Sequence, residues 1–286
     1  GSGASVRAYD RRDHAAMSEV AEELEALGIA LSCGDGYLDG LSADVIFRTP
    51  GMRPDVPQIA AAVAAGAVLT SEMEAFFEVC PCPIIAITGS DGKTTTSTLI
   101  AEMLTRAGVR CRLGGNIGHP LLAEADMMSP DDAAVVELSS FQLMTMKKSA
   151  STAVVTNVAP NHLDIHRDME EYVDAKRNVF AYQTSADRVV LNLDNDITRH
   201  FGREAEGHVF YFSKQPFTGD GVYLADGAIW ASAGGKREKV LETSEIFLPG
   251  LHNVEKPYGD VSRLIRFAVL RGNSTAWSTV LNLYAS

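Results

Sequence analysis

The chain has 286 residues, 46% hydrophobic and 22% charged, a balance that excludes a disordered chain, a collagen-like repeat and a disulfide-dense mini-fold. Lys plus Arg number 25 against 37 Asp plus Glu, and a net charge of −12 argues against a partner that is nucleic acid or an anionic membrane. A phosphate ligand would have to be met by local backbone geometry and a few placed cations, and the length favours two modest domains.

Residues 6–9 read as a short apolar strand running into Asp10-Arg11-Arg12. A helix follows, with Met17, Val20, Ala21, Leu24 and Leu27 at three-to-four spacing and Gly28 as its stop. Residues 43–47 give a second strand, Thr49-Pro50-Gly51 a turn, 58–65 a second helix and 67–70 a third strand. Alternating strand and helix predicts a parallel α/β layer. This layer opens on a strand that ends in an acidic residue, where a dinucleotide-type fold would first place a strand and a glycine-rich turn. An incomplete Rossmann-like domain is therefore expected over residues 1–82.

Cys80-Pro81-Cys82-Pro83 is a stiff break and marks the expected domain boundary. The four cysteines, Cys33, Cys80, Cys82 and Cys111, lack the paired spacing of a zinc site, which leaves reduced thiols of the cytosol as the expectation. The longest apolar stretch, residues 59–69, falls short of the ~20 residues of a membrane span, and no secretory signal is visible. Beyond the break come a strand at 84–87, a loop at 88–96, and a helix carrying Leu99, Ile100, Met103, Leu104 and Ala107 up to Gly108. Further strands are expected at 133–138, 152–157, 189–193 and 209–212, and a hairpin pairs 222–224 with 228–230 across Ala225-Asp226-Gly227.

Gly89-x-x-Gly92-Lys93-Thr94, between a strand and a helix, carries the strongest chemical signal. Its glycines let successive N–H groups face a phosphate, Lys93 adds a point charge, and the Thr94 hydroxyl suits Mg²⁺. The spacing is not the full Walker pattern, and the plain alternative is a glycine turn opening an ordinary helix. A nucleotide loop needs an acidic partner at a neighbouring strand end, and Ala133-Ala134-Val135-Val136-Glu137 supplies one. His162 and Asp164 follow the strand at 152–157 on the same sheet edge; a lone loop histidine is often merely solvated, and Mg²⁺ prefers oxygen. Lys176 interrupts an apolar stripe of Met169, Tyr172, Val173, Val179 and Phe180, on a helix opened by Asp168-x-x-Glu171. Such a lysine either snorkels to water or loses proton affinity through desolvation, and a neutral amine can add CO₂ to become a carbamate.

Together these stretches, with Gly114-Gly115-Asn116-Ile117-Gly118, Glu137-Leu138-Ser139-Ser140-Phe141-Gln142-Leu143 and Leu248-Pro249-Gly250-Leu251-His252-Asn253, resemble the Mur ligases of peptidoglycan synthesis, in particular the D-glutamate-adding branch. The resemblance implies a P-loop NTPase-like central domain with a mostly parallel sheet over 83–258, leaving 259–286 unassigned. It implies an ATP-dependent amide ligation of D-glutamate to UDP-N-acetylmuramoyl-L-alanine through an acyl phosphate, by a cytoplasmic monomer. Gly89, Ser90, Asp91, Gly92, Lys93, Thr94 and Thr95 would then hold the ATP phosphates and Asn253 the adenine side. Thr94 and Glu137 would hold one Mg²⁺, and His162 with a carbamylated Lys176 a second. Asn116, Ser139 and Gln142 would meet the muramoyl-alanine portion, and Asp10, Arg11, Arg12, Thr49 and Gly51 the uridine diphosphate. Two departures stand out: the family's opening strand and glycine turn are not seen, and residues 259–286 match nothing in the family's third domain. A folylpolyglutamate synthase-like ligase and a nucleotide-binding fragment without turnover are the competing readings; Ser139-Ser140-Phe141-Gln142 argues against the first.

Overall fold

A computed structural model describes residues 3–161 and 165–245, which divide after Thr70 into two units. In the first, β1 (Arg7–Asp10) runs parallel to β2 (Ala30–Cys33), and the crossover carries a 3-10 turn (His14–Met17) and α1 (Ser18–Ala26). A second crossover, α2 (Pro57–Ala64), joins the parallel strands β3 (Val45–Phe47) and β4 (Val68–Thr70). Pro57 stands in the first turn of α2, where its missing N–H forfeits no helical bond. Gly28, at φ 72°, ends α1 in the left-handed region that other residues resist. The expected α/β alternation is present, and β2 adds a strand that four weakly patterned residues did not announce.

Helix α3 (Glu72–Val79) belongs to the second unit. The Ser71 hydroxyl accepts from the Glu74 N–H at 3.2 Å to cap it, and Met73, Phe76 and Phe77 enter that unit's core. The division thus falls after Thr70 rather than at Cys82, and the proline break joins the second unit's first helix to its first strand.

That unit is built on one nine-stranded sheet among the described residues. Its strands are β5 (Ile84–Thr88), β6 (Cys111–Gly115), β7 (Ala133–Glu137), β8 (Thr152–Val155), β9 (Arg188–Asn192), β10 (His208–Ser213), β11 (Gly221–Ala225), β12 (Ala228–Ala233) and β13 (Lys236–Glu242). The order is β13-β12-β11-β10-β9-β8-β5-β7-β6, parallel from β6 to β11 and antiparallel across β12 and β13. Every residue of β5, β7 and β8 is buried, as expected of parallel strands covered on both faces. The two-residue alternation of the strands divides their side chains: Ile84 and Ala86 join Phe76 and Leu143 on one face, while Ile85 and Ile87 join α4 (Lys93–Arg106) through Ile100 and Leu104 on the other. Three shorter helices complete the unit: α5 (Ser140–Leu143), α6 (Met169–Arg177) and α7 (Asp196–Phe201).

The β11–β12 hairpin turns on Asp226 and Gly227, both at positive φ (50° and 71°), the conformation an Asp-Gly pair favours. Gly234 and Gly235 repeat the device before β13, whose Lys-Arg-Glu-Lys run hides a strand behind charges suited to a sheet edge. No helix among the described residues is long and apolar enough to cross a membrane.

Core burial fixes a stability expectation. Phe76 is 0% exposed and Leu27 is 74% exposed, so Phe76→Ala should cost about 3–5 kcal/mol in urea unfolding while Leu27→Ala costs less than about 0.5 kcal/mol. Equal losses would contradict this assignment of the core.

Candidate functional site

The order of the sheet reverses around β5, with β7 and β6 to one side and β8 and β9 to the other, and open α/β sheets bind ligands at the carboxyl ends of the strands at such a point. The loop leaving β5 there is shaped by Gly89, at φ 151°: a Cβ at this position would lie 1.9 Å from Thr156 Oγ1. Gly92, left-handed at φ 79°, then turns the chain into α4. This 14-residue helix has no side-chain cap and no acidic residue in its first turn, so its leading N–H groups are available to an anion.

The loop is braced by the segment after β8. Ser90 N–H donates to Asn157 O at 3.0 Å and Asp91 N–H to Asn157 Oδ1 at 2.9 Å, while the Thr156 hydroxyl donates to Asp91 O at 2.6 Å. Ser90 Oγ accepts from Ala159 N–H at 2.9 Å and lies 3.0 Å from the Tyr172 hydroxyl on α6. Thr156, Asn157 and Tyr172 were not singled out for this role by the sequence, because partners 65 or more residues away leave no local pattern.

Thr94 and Glu137 meet as the sequence predicts. The Thr94 hydroxyl donates to Glu137 Oε2 at 2.8 Å, and Asn116 Nδ2 donates to Oε1 at 3.0 Å, so the buried carboxylate has a partner on each oxygen. Gly115 makes this approach possible: at φ 100°, a Cβ there would lie 2.3 Å from Glu137 O. Thr95 is exposed in the first turn of α4.

Two lysines converge on one acceptor. Lys93 Nζ donates to Gly89 O at 2.9 Å and Ser90 O at 3.0 Å, and Lys176 Nζ donates to the same Gly89 O at 2.9 Å. Lys176 is 1% exposed, with Nζ 4.6 Å from the Tyr172 ring centroid. Burial first, and then the charge of Lys93, pull its pKa down to about 7 against the opposing influence of Asp91. Of the two readings open for Lys176, the buried one holds. On the same helix, Asp168 caps by accepting from Glu171 N–H, but the Glu171 carboxylate accepts from Arg167 N–H, so the reciprocal half of the expected box is replaced.

Ser139 and Gln142 engage each other in a capping box at the start of α5: Gln142 N–H donates to Ser139 Oγ at 3.2 Å, and Ser139 N–H donates to Gln142 Oε1 at 2.9 Å. His166, a residue the motif reading passed over, is buried between α5 and α6. Its Nε2 lies 2.8 Å from Ser140 Oγ, and its ring stacks on Phe141 with centroids 5.1 Å apart.

In the first unit, Arg12 grips Asp10 with Nε and Nη2 at 3.1 and 2.9 Å, and this pairing holds the Asp10 carboxyl near pKa 2. Arg11, Thr49 and Gly51 are exposed. The 49–52 turn is organised from beneath by Arg48, 3% exposed, whose Nη1 donates to the carbonyls of Pro50 and Met52 at 3.1 and 2.6 Å. His162, Asp164 and Asn253 lie outside the described residues. Among the described residues no group of three or more His, Cys, Asp or Glu is arranged to hold a metal. The oxygens of Thr94 and Glu137 nevertheless suit Mg²⁺, which takes one or two protein ligands beside phosphates and water.

A family model described as the Mur ligase middle domain matches residues 87–255. Over 254 residues, 88% of this chain, it is 52% identical to a protein of Acetivibrio thermocellus and 47% identical to one of Ruminiclostridium cellulolyticum, both named UDP-N-acetylmuramoylalanine--D-glutamate ligase. The chain spans about half the length of these relatives, 54% and 55%. Among solved structures, a UDP-N-acetylmuramoyl-L-alanyl-D-glutamate--2,6-diaminopimelate ligase shares the fold at TM-score 0.56 and 21% identity, over 84% of this chain and 58% of that one. A UDP-N-acetylmuramate:L-alanyl-gamma-D-glutamyl-meso-diaminopimelate ligase of Neisseria does so at TM-score 0.54 and 20% identity, over 93% and 86%. With the matched model covering more than half of its length, from the phosphate loop through Glu137 and Lys176, the chain belongs to the Mur ligase family.

Proposed function

We propose that this chain holds ATP, and the carboxylate to be activated, in a ligase that joins D-glutamate to UDP-N-acetylmuramoyl-L-alanine. The observation that carries the reading is the Thr94–Glu137 contact beneath the glycine loop, in a chain about half identical to relatives bearing that name. The substrate carboxylate attacks the γ-phosphorus and the bond to ADP breaks; the D-glutamate amine then attacks the acyl carbon, loses a proton and expels phosphate.

Each step brings an anion or a nucleophile to a crowded negative centre, so positioning and charge neutralisation are what the protein supplies. Lys93 exchanges the carbonyls of Gly89 and Ser90 for phosphate oxygens, and the uncapped N–H groups at the start of α4 serve the same phosphates, while the Ser90 and Asp91 N–H groups stay on Asn157. Thr94 and Glu137 would hold Mg²⁺, which neutralises triphosphate charge when bound. Lys176, neutral near pH 7, adds CO₂ at Nζ and releases a proton; the carbamate oxygens, with His162, would serve a second Mg²⁺. Asn116, Ser139 and Gln142 face the muramoyl-alanine portion, Asp10, Arg11, Arg12, Thr49 and Gly51 the uridine diphosphate, and Asn253 the adenine. The reaction belongs in the cytosol, and the proposal includes a monomer with no nucleic-acid or membrane partner.

The decisive assay measures ADP release with UDP-N-acetylmuramoyl-L-alanine, with and without D-glutamate. Release that needs both substrates supports the proposal; release that needs a pteroylglutamate transfers the chain to another ligase, and nucleotide binding without release under any condition contradicts turnover. Gly89→Ala should weaken MgATP binding at least ~100-fold with unchanged circular dichroism, since its Cβ displaces the Thr156 brace. Glu137→Gln should remove the Mg²⁺ dependence of nucleotide affinity, a loss on the order of 10- to 100-fold.

Lys176 also sets a pH dependence. Folding lowers its pKa from 10.5 to about 7, so between those values the unfolded chain binds more protons and Lys176 makes stability rise with pH. Lys176→Met should flatten that rise and raise stability at pH 6 by on the order of 2 kcal/mol. A parent and variant with parallel stability–pH curves would exclude a desolvated amine at this position.

A further inference from the structure

The one motif the ligase reading leaves unused is Cys80-Pro81-Cys82. Cys80 closes the carboxyl end of α3, its N–H donating to Phe76 O at 2.9 Å, and Cys82 lies two residues before β5, buried in the core with Phe76 and Phe77. Their sulfurs are 3.6 Å apart, and Cys80 is only partly buried. The ring of Pro81 fixes φ of the residue between them, which lowers the entropy lost on closing so short a ring. We propose that Cys80 and Cys82 form a redox-active dithiol, closed to an intramolecular disulfide by hydroperoxides and bridged in its reduced form by trivalent arsenicals.

The chemistry is asymmetric. The hydrogen bond from Cys82, with a smaller contribution from Lys148, draws the Cys80 thiol down to about 7 against the effect of burial, while Cys82 is pushed up by that same hydrogen bond and by burial. Lys148 itself is engaged with Glu78 at 3.2 Å, and Asp132 adds to the upward push on Cys82. Cys80 is therefore the attacking thiolate and Cys82 the resolving thiol. The Cys80 thiolate attacks one oxygen of hydrogen peroxide, the O–O bond breaks, and hydroxide leaves to be protonated to water. Cys82 then loses its proton, its sulfur bonds to that of the Cys80 sulfenic acid, and the S–O bond breaks to release a second water. Two thiols are oxidised and one peroxide is reduced. The sulfurs need approach by only about 1.5 Å to reach disulfide length. Cys111 is the internal control, because burial pushes its thiol up to about 12.

The test treats the fully reduced chain with one equivalent of hydrogen peroxide at pH 7.5, quenches with iodoacetamide and maps the peptides by mass. The expected product is a Cys80–Cys82 peptide lighter by two hydrogens, formed at least about 100-fold faster than any oxidation of Cys111 and ahead of Cys33. Cys82→Ser should stop at a Cys80 sulfenic acid trapped by dimedone, and Cys80→Ser should lose the fast reaction. Phenylarsine oxide should bind the reduced parent one to one and neither variant. Oxidation of Cys33 or Cys111 as fast as Cys80, Cys80 oxidised without linkage in the parent, or a parent that does not retain the arsenical would each overturn the proposal.

Discussion

Two lysine side chains donate to the single carbonyl oxygen of Gly89, and most of the site follows from that arrangement. The carbonyls of Gly89 and Ser90 do not compensate two neighbouring ammonium charges, one of them fully buried, and no ion pair to either lysine exists among the described residues. Lys176 relieves the conflict by giving up its proton near neutral pH; Lys93 relieves it by remaining at the mouth of the loop, where an anion can replace the carbonyls it now holds. The loop thus carries an excess of positive potential, which on the proposed reading a phosphate would satisfy better than the protein does. A net acidic chain can bind a triphosphate on these terms because the attraction is local, and other anions gain little from the surface as a whole.

The sheet keeps this arrangement in place. β5 lies between β7 and β8, so the loop that follows it has Glu137 on one flank and Thr156–Asn157 on the other, both delivered by fully buried strands. The brace combines backbone groups of Asn157 and Ala159 with the side chains of Thr156 and Asn157, all in the segment that leaves β8, which ties the shape of the loop to the register of that strand. Helix α6 adds Tyr172 and Lys176 from behind, one turn apart on one face. Each charged group in the site is therefore held by an element that cannot shift without disturbing the core.

The legible parts of this site have local signatures. Gly89, Gly92, Lys93 and Thr94 were readable because two glycines followed by Lys-Thr between an apolar strand and a helix form a local pattern in the sequence itself. Glu137 was readable as a carboxylate ending an apolar run, and Lys176 as a charge inside an apolar stripe. Asn116 was reached only through the family resemblance, since an asparagine near a sheet edge carries no chemistry of its own. Thr156, Asn157, Arg48 and His166 escaped because their partners are backbone groups or side chains brought near by the fold. The missed elements have physical reasons too. β6 contains Arg112 and two glycines, β13 is charged along an edge, and α3 is short and follows directly on a strand. The Ser139-x-x-Gln142 spacing also carries a cap that went unread beside the substrate role the family motif implies.

The central claim is that the loop after β5 takes the γ-phosphate in place of the carbonyls now bound to Lys93. A crystal structure of the chain with Mg²⁺ and a non-hydrolysable ATP analogue tests it most directly. The account predicts the triphosphate along residues 89–95, with Lys93 Nζ moved from Gly89 O and Ser90 O onto phosphate oxygens and a cation between Thr94 and Glu137. Nucleotide bound elsewhere, with both lysines still on the Gly89 carbonyl, would contradict it.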